Sequence, residues 1–204
     1  MPPIPTITKN LMLACTAVFC LQLFLPLTAW FALFPLNSGY FMPWQVVSYA
    51  FLHGGFGHLF FNMLGLWMFG SELERLWGGK RYAQFLLAGV LAAAAAQIIV
   101  TWLTGSRAPT LGASGALFAL LLAFGMLFPN RIIMPLFPPI PMKARTFVIV
   151  FGGIELLLGS GILDSLMGLG GGNIAHFAHL GGMVGGWLMI RYWRKQPPFG
   201  SRRR

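Results

Sequence analysis

Ser114, His179, His58 and Asn62 have the types and spacings that suit acyl-transfer chemistry. Ser114 lies in Gly112-Ala113-Ser114-Gly115-Ala116, after the turn-rich Arg107-Ala108-Pro109-Thr110 and before an apolar run from Leu117 to Phe128 that Pro129-Asn130-Arg131 closes. This places the serine in the first turn of a helix, where unpaired backbone amides are donors for a developing anion. Small residues on both sides let another backbone or a substrate approach closely. A run of small residues also serves simple helix packing, so the serine must have partners before it reads as a nucleophile.

His58 and Asn62 are four apart and share one helix face. Two neutral hydrogen-bond donors on one face suit an oxyanion hole, with the Ser114 backbone amide as a third donor. His179 opens His179-Leu180-Gly181-Gly182-Met183-Val184-Gly185-Gly186, in which Gly182 and Gly186, and also Gly181 and Gly185, keep the small-xxx-small spacing of close helix contacts. If this face meets the Gly112 to Gly115 region, His179 reaches Ser114 as general base. Phe118 is one turn beyond Ser114 on the same face and is placed to stack on the imidazole.

An orienting carboxylate has no evident candidate. Glu72 and Glu74 fall at the far end of their helix, Asp164 in a loop, and Glu155 deep in an apolar run where it is expected to hydrogen-bond a neighbouring helix. The expectation is therefore a serine–histidine dyad. His176-x-x-His179 invites a metal reading, but no His-Glu-x-x-His and no third ligand accompanies it, so neither a metal nor a cofactor is expected. His53 and His176 are read as loop-tethering or water-contacting residues.

The elements that must carry these residues are membrane spans. Of 204 residues 57% are hydrophobic and 9% charged, with a mean hydropathy of +0.73, which is outside the soluble globular range. The chain reads as an all-α polytopic membrane protein, one membrane-embedded domain over 1–204, with spans at about 11–33, 56–77, 82–104, 114–128, 146–163 and 173–193. The fourth is short, so Ser114 lies below one membrane surface, where a glycine turn is tolerated only if protein or a water-filled cavity surrounds it. On helical rise, His58 is about 25 Å above Arg75, Asn62 about 20 Å, His179 about 18 Å above Arg191 and Ser114 about 25 Å above Arg131. All four thus fall in the same half of the bilayer.

The net charge of +10 does not point to nucleic acid, because thirteen of the 14 basic residues fall at alternate span ends and only Arg107 lies opposite. This is the positive-inside pattern, and it puts both termini in the cytosol. The tail Arg202-Arg203-Arg204 is expected at anionic head groups of the lipid bilayer. No basic region followed by a cleavage site opens the chain, so the first apolar run is read as a retained span, with Cys15 and Cys20 as buried apolar residues. Phe34 to Gly57 has no charge, and its aromatics are broken by prolines and glycines; it is expected to form short helices in the outer interface between the first two spans. The alanine run 92–96 permits close packing of the third span, the prolines between Pro135 and Pro141 form a stiff connector, and Gly168 to Gly172 form a flexible link.

These motifs, His58-x-x-x-Asn62, Gly112-x-Ser114-Gly115 and Ala178-His179-x-x-Gly182-x-x-x-Gly186, resemble the rhomboid family of intramembrane serine proteases over about Trp44 to Gly186. The resemblance implies a six-helix rhomboid-like bundle whose site opens to the extracytoplasmic side of a cell membrane. It implies Ser114 as nucleophile, His179 as base and the His58 and Asn62 positions in oxyanion binding. It further implies Glu74 and Gly78 as a structural pattern, the glycine link as a cap and the fifth span as a substrate gate. Substrates would be single-span transmembrane proteins, cut near the membrane boundary beside small residues. A core without added domains looks like that of a bacterial inner-membrane member. The chain departs from the family pattern at Trp44-Gln45, where many members carry Trp-Arg, and at Phe118, where tyrosine is frequent. The alternative is a non-catalytic rhomboid-like protein that binds membrane helices for quality control or trafficking. A solute channel or transporter is disfavoured by the lack of charged pore residues and of an inverted repeat.

Overall fold

The computed structural model describes residues 3–136, 139–160 and 175–194. In chain order the helices are α1 (Thr6–Gln22), α2 (Leu27–Phe31), α3 (Gln45–Ser48), α4 (Phe56–Gly65), α5 (Ser71–Trp77), α6 (Gly79–Thr104), α7 (Ser114–Leu127), α8 (Ala144–Gly159) and α9 (Ala175–Trp193). A two-stranded antiparallel pair, β1 (Ile132–Ile133) and β2 (Met142–Lys143), closes the proline-rich connector before α8. The Gly168 to Gly172 link, Asp164, the ends of the fifth and sixth apolar runs that face this link, and the Arg202–Arg204 tail lie outside the described residues.

The first apolar run departs from the expected 11–33. Helix α1 begins at Thr6 and ends at Gln22, and α2 is a separate short helix after Pro26. Proline has no N–H for a continuing helix, which accounts for the break. The early start has a tertiary cause. No side chain caps α1 locally. Instead the Glu74 carboxylate of α5 accepts the N–H groups of Ile7 (2.9 Å) and Thr8 (2.7 Å) and the Thr8 hydroxyl (2.8 Å). An acceptor from another helix therefore satisfies orphan amides that a cap residue would ordinarily take.

Helix α4 runs through a π turn, Leu66–Gly70, directly into α5, so 56–77 is helical throughout. In that turn Gly70 has no side chain to keep the Tyr82 hydroxyl of α6 off its backbone. Among the described residues, α6 alone is both long and apolar enough by itself to cross a bilayer, while α1 and α7 are shorter apolar helices.

The centre of the molecule is a seam of glycine and alanine where α9 lies against α6 and α7. Gly181 faces Ala92, Ala93 and Ala96 of α6, Gly185 faces Ala88 and Ala92, Gly182 lies on the Gly115 backbone of α7, and Gly186 faces Ala119. Lipid tails are as apolar as leucine, so helices gain by letting backbones touch rather than by hiding large side chains. Many large apolar side chains face outward instead: Phe24 is 83% exposed, Leu103 76% and Ile149 72%. Cys20 is also exposed, in contrast to the buried position expected of it, whereas Cys15 is buried.

The segment between α2 and α4 is folded tightly around Gln45, which is fully buried. Its side-chain oxygen accepts the N–H groups of Phe34 (3.2 Å) and Met42 (3.1 Å), and its amide donates to the carbonyls of Trp30 (3.3 Å) and Tyr40 (3.1 Å). A neutral amide can do both, so the position where an arginine is frequent is here the hub of the loop.

Candidate active site

Ser114 is the first residue of α7, and the turn before it is set by Gly112, whose φ of 122° lies in a region closed to residues with a side chain. The Gly112 N–H donates to the Tyr49 carbonyl (2.9 Å), which ties the turn to the interfacial segment. A Cβ at Gly112 would stand 2.7 Å from Cε1 and Nε2 of His58 and 3.7 Å from Ser114 Oγ. The absent side chain therefore leaves the space through which His58 faces the serine.

The His58 Nδ1 accepts the Gly54 N–H (3.4 Å), which assigns the ring proton to Nε2, the atom over Gly112. Asn62, one turn further along α4, is buried, and its side-chain N–H₂ group has no hydrogen-bond partner among the described residues. Buried donors are nearly always paired, so a donor left open one turn from His58 is a candidate place for an incoming acceptor. His53 packs edge-on against His58 with ring centroids 5.2 Å apart. Its backbone is held by Gln22, which accepts the His53 N–H (3.0 Å) and donates to the His53 carbonyl (3.3 Å). Burial, with His58 as neighbour, lowers the His53 imidazole to about 4, so His53 is neutral beside the site.

His179, on α9, is brought to the serine by the Gly182–Gly115 contact one turn below. Its Nε2 lies 2.7 Å from Ser114 Oγ. The Phe118 ring stacks on the imidazole with centroids 4.4 Å apart and an interplanar angle of 9°. The stack needs no hydroxyl. Gly186, two turns beyond His179, stands clear of the chemistry against Ala119 and Phe85.

The serine–histidine pair has a carboxylate behind it, which corrects the expectation that none was available. Glu155 of α8 accepts the Nδ1–H of His179 (2.8 Å) and, on the same oxygen, the Nδ1–H of His176 (2.6 Å). His176 is thus part of the site rather than a loop tether. A sequence signal for this was present: Gly152, Glu155 and Gly159 share one face of α8. Gly152 sits against Met183, and Gly159 against His176 and Phe177. Two glycines flanking a glutamate let α8 come close enough to α9 for a short carboxylate to reach both histidines. The same three residues also supply the third donor that the metal reading lacked, since the ligand atoms of Glu155, His176 and His179 lie within 4.8 Å of one another. Hydrogen bonds at 2.6 and 2.8 Å account for that convergence without an ion.

The arrangement unites a hydroxyl, an imidazole whose Nε2 faces it, and the His58 ring over the adjoining Gly112. This is the equipment of nucleophilic acyl transfer. The sequence profile of the Rhomboid domain matches residues 40–196, which includes every residue of the site. Among curated proteins, the chain is 31% identical over 160 residues to Rhomboid protein 1, mitochondrial, of Saccharomyces cerevisiae, covering 74% of this chain and 43% of that protein. It is 32% identical over 149 residues to Rhomboid protease GluP of Bacillus subtilis, covering 71% of this chain and 25% of that one. It is 29% identical over 130 residues to Rhomboid protease GlpG of Yersinia pestis, covering 53% and 46%. The chain thus spans less than half the length of each of these relatives, while the profile covers most of this chain: it belongs to the rhomboid family.

Proposed function

We propose that this protein is an intramembrane serine endopeptidase that cleaves transmembrane segments of single-span proteins. The observation that carries the reading is Ser114 Oγ at 2.7 Å from His179 Nε2, at the start of a helix. The protease names of two of its relatives support it. We read the chain as one domain of six spans with both termini in the cytosol of a bacterial inner membrane. Its site faces the extracytoplasmic side.

A substrate segment unwinds at the site, and Ser114 Oγ attacks the scissile carbonyl carbon as its proton passes to His179 Nε2. The resulting oxyanion is met by His58 Nε2–H, the Asn62 amide and the Ser114 backbone N–H. The carbon–nitrogen bond then breaks, and Nε2 returns the proton to the leaving amine. A water adds to the ester carbon by the same route, gives a proton to Nε2 and releases the acid, and the serine regains its proton. No metal takes part.

A reagent that phosphonylates activated serines should label wild-type protein at Ser114, fail on Ser114→Ala and label His179→Ala far more slowly. Chelators should change neither labelling nor cleavage. Loss of activity on chelation, restored by added zinc, would replace the serine reading with a metal hydrolase built on Glu155, His176 and His179. The helix-binding alternative expects an inert serine, so labelling of Ser114 separates it from the protease.

A further inference from the structure

We propose that Glu155 is the positioning residue of the site: it fixes His179 in the tautomer whose Nε2 is free to take the serine proton and offsets the charge the ring then gains, with His176 as the second donor that holds the carboxylate in place. The proposal rests on Ser114 and His179 being the reacting pair. It adds a third member to that pair, contributed by a different helix.

The geometry carries this in three ways. First, a neutral imidazole has one N–H, and Glu155 accepts it at Nδ1 (2.8 Å), so Nε2, 2.7 Å from Ser114 Oγ, is left as an acceptor. Second, the carboxylate is only 13% exposed and cannot rely on water, yet two ring N–H groups meet the same oxygen. Third, the His176 and His179 rings stand nearly perpendicular, 87° apart, so they grip that oxygen from two directions and limit rotation of the carboxyl group. During the reaction the serine proton goes to Nε2 and no further. Glu155 keeps its negative charge throughout, opposite a ring that alternates between neutral and positive.

A purely structural role would be met by any side chain that accepts the two N–H groups and fills the same volume. Glutamine does both. Glu155→Gln therefore separates charge from shape: the proposal expects kcat to fall about 10³-fold with KM within a few-fold of wild type. Glu155→Asp keeps the charge on a shorter arm and should recover part of the loss. His176→Ala removes one donor of two and should lower kcat by about tenfold, less than Glu155→Gln does.

The test measures cleavage of a fluorogenic single-span peptide in liposomes by the full chain and these variants. Alongside it, nitrogen-15 NMR of histidine-labelled Ser114→Ala protein in detergent reads the His179 tautomer. The expected result is an Nδ1–H, Nε2-free ring with Glu155 present and a shifted tautomer balance in a Glu155→Leu background. Glu155→Gln activity within threefold of wild type overturns the proposal, and so does an Nε2–H ring in the protein that retains Glu155. If Glu155→Gln does not fold, the tautomer alone decides. If wild type cleaves no substrate, the protease reading fails while the tautomer still reports on the Glu155–His179 bond, so the two failures remain distinct.

Discussion

His179→Ala is expected to lower kcat by about 10⁴-fold or more while leaving KM within a few-fold, because it removes the only proton acceptor that the serine has within hydrogen-bond reach among the described residues. A serine hydroxyl at neutral pH is a poor nucleophile, and the donors around the oxyanion cannot make up for an absent base. The variant should fold. It loses the stack on Phe118, worth about 0.5–1.5 kcal/mol, and leaves Glu155 with His176 as its remaining partner. Cleavage kinetics together with thermal unfolding in detergent check both parts. Activity within tenfold of wild type would mean that another group accepts the proton.

Gly182→Ala, a change of one methyl group, should cost nearly as much by a different route. A Cβ at Gly182 would overlap the Gly115 carbonyl oxygen and stand 2.7 Å from the Gly115 carbonyl carbon and 3.1 Å from its Cα. These are backbone atoms, so no rotamer change relieves the clash and α9 must move away from α7. A displacement of about 1 Å between base and nucleophile is enough for a loss of roughly 100-fold, and overpacking of this kind destabilises by about 1–3 kcal/mol. The matching control is Gly153→Ala on α8. A Cβ there meets nothing within 4 Å, so activity should be unchanged and stability equal or higher by about 0.5–1 kcal/mol. Activity and unfolding temperature measured on both variants decide whether the glycine seam sets the site geometry. Equal behaviour of the two would show that it does not.

What the sequence makes legible here is whatever a single helix dictates. The run 56–77 is bounded by glycines at both ends and interrupted by nothing that breaks a helix, and it is helical over that range. The Gly181/Gly185 and Gly182/Gly186 faces have one physical use, close approach of backbones, and they identify α9 as the packed centre of the molecule. What stays hidden is whatever depends on two elements at once. The start of α1 is set by Glu74, 66 residues away from Thr8, and no local cap marks it. The end of α1 is misplaced for the opposite reason, since hydropathy continues past Pro26 although the backbone cannot.

Glu155 shows the same limit at the site. Read alone, a carboxylate in the middle of an apolar helix is an anomaly with many candidate partners. Its partners become definite only when the register of α8 against α9 is known, and the Gly152-Glu155-Gly159 face that sets this register looks, in one dimension, like ordinary small residues. Gln45 is similar: a departure from a frequent arginine reads as a lost contact until four hydrogen bonds are seen to converge on it.

The most direct test of the central claim is cleavage of a single-span substrate reconstituted in liposomes with the full chain, wild type against Ser114→Ala, with products identified by mass spectrometry. The account predicts two fragments from the wild type, cut within or at the border of the membrane segment, and intact substrate with Ser114→Ala. Equal cleavage by both proteins would contradict the account, as would intact substrate retained by both, which is the behaviour of a helix-binding protein.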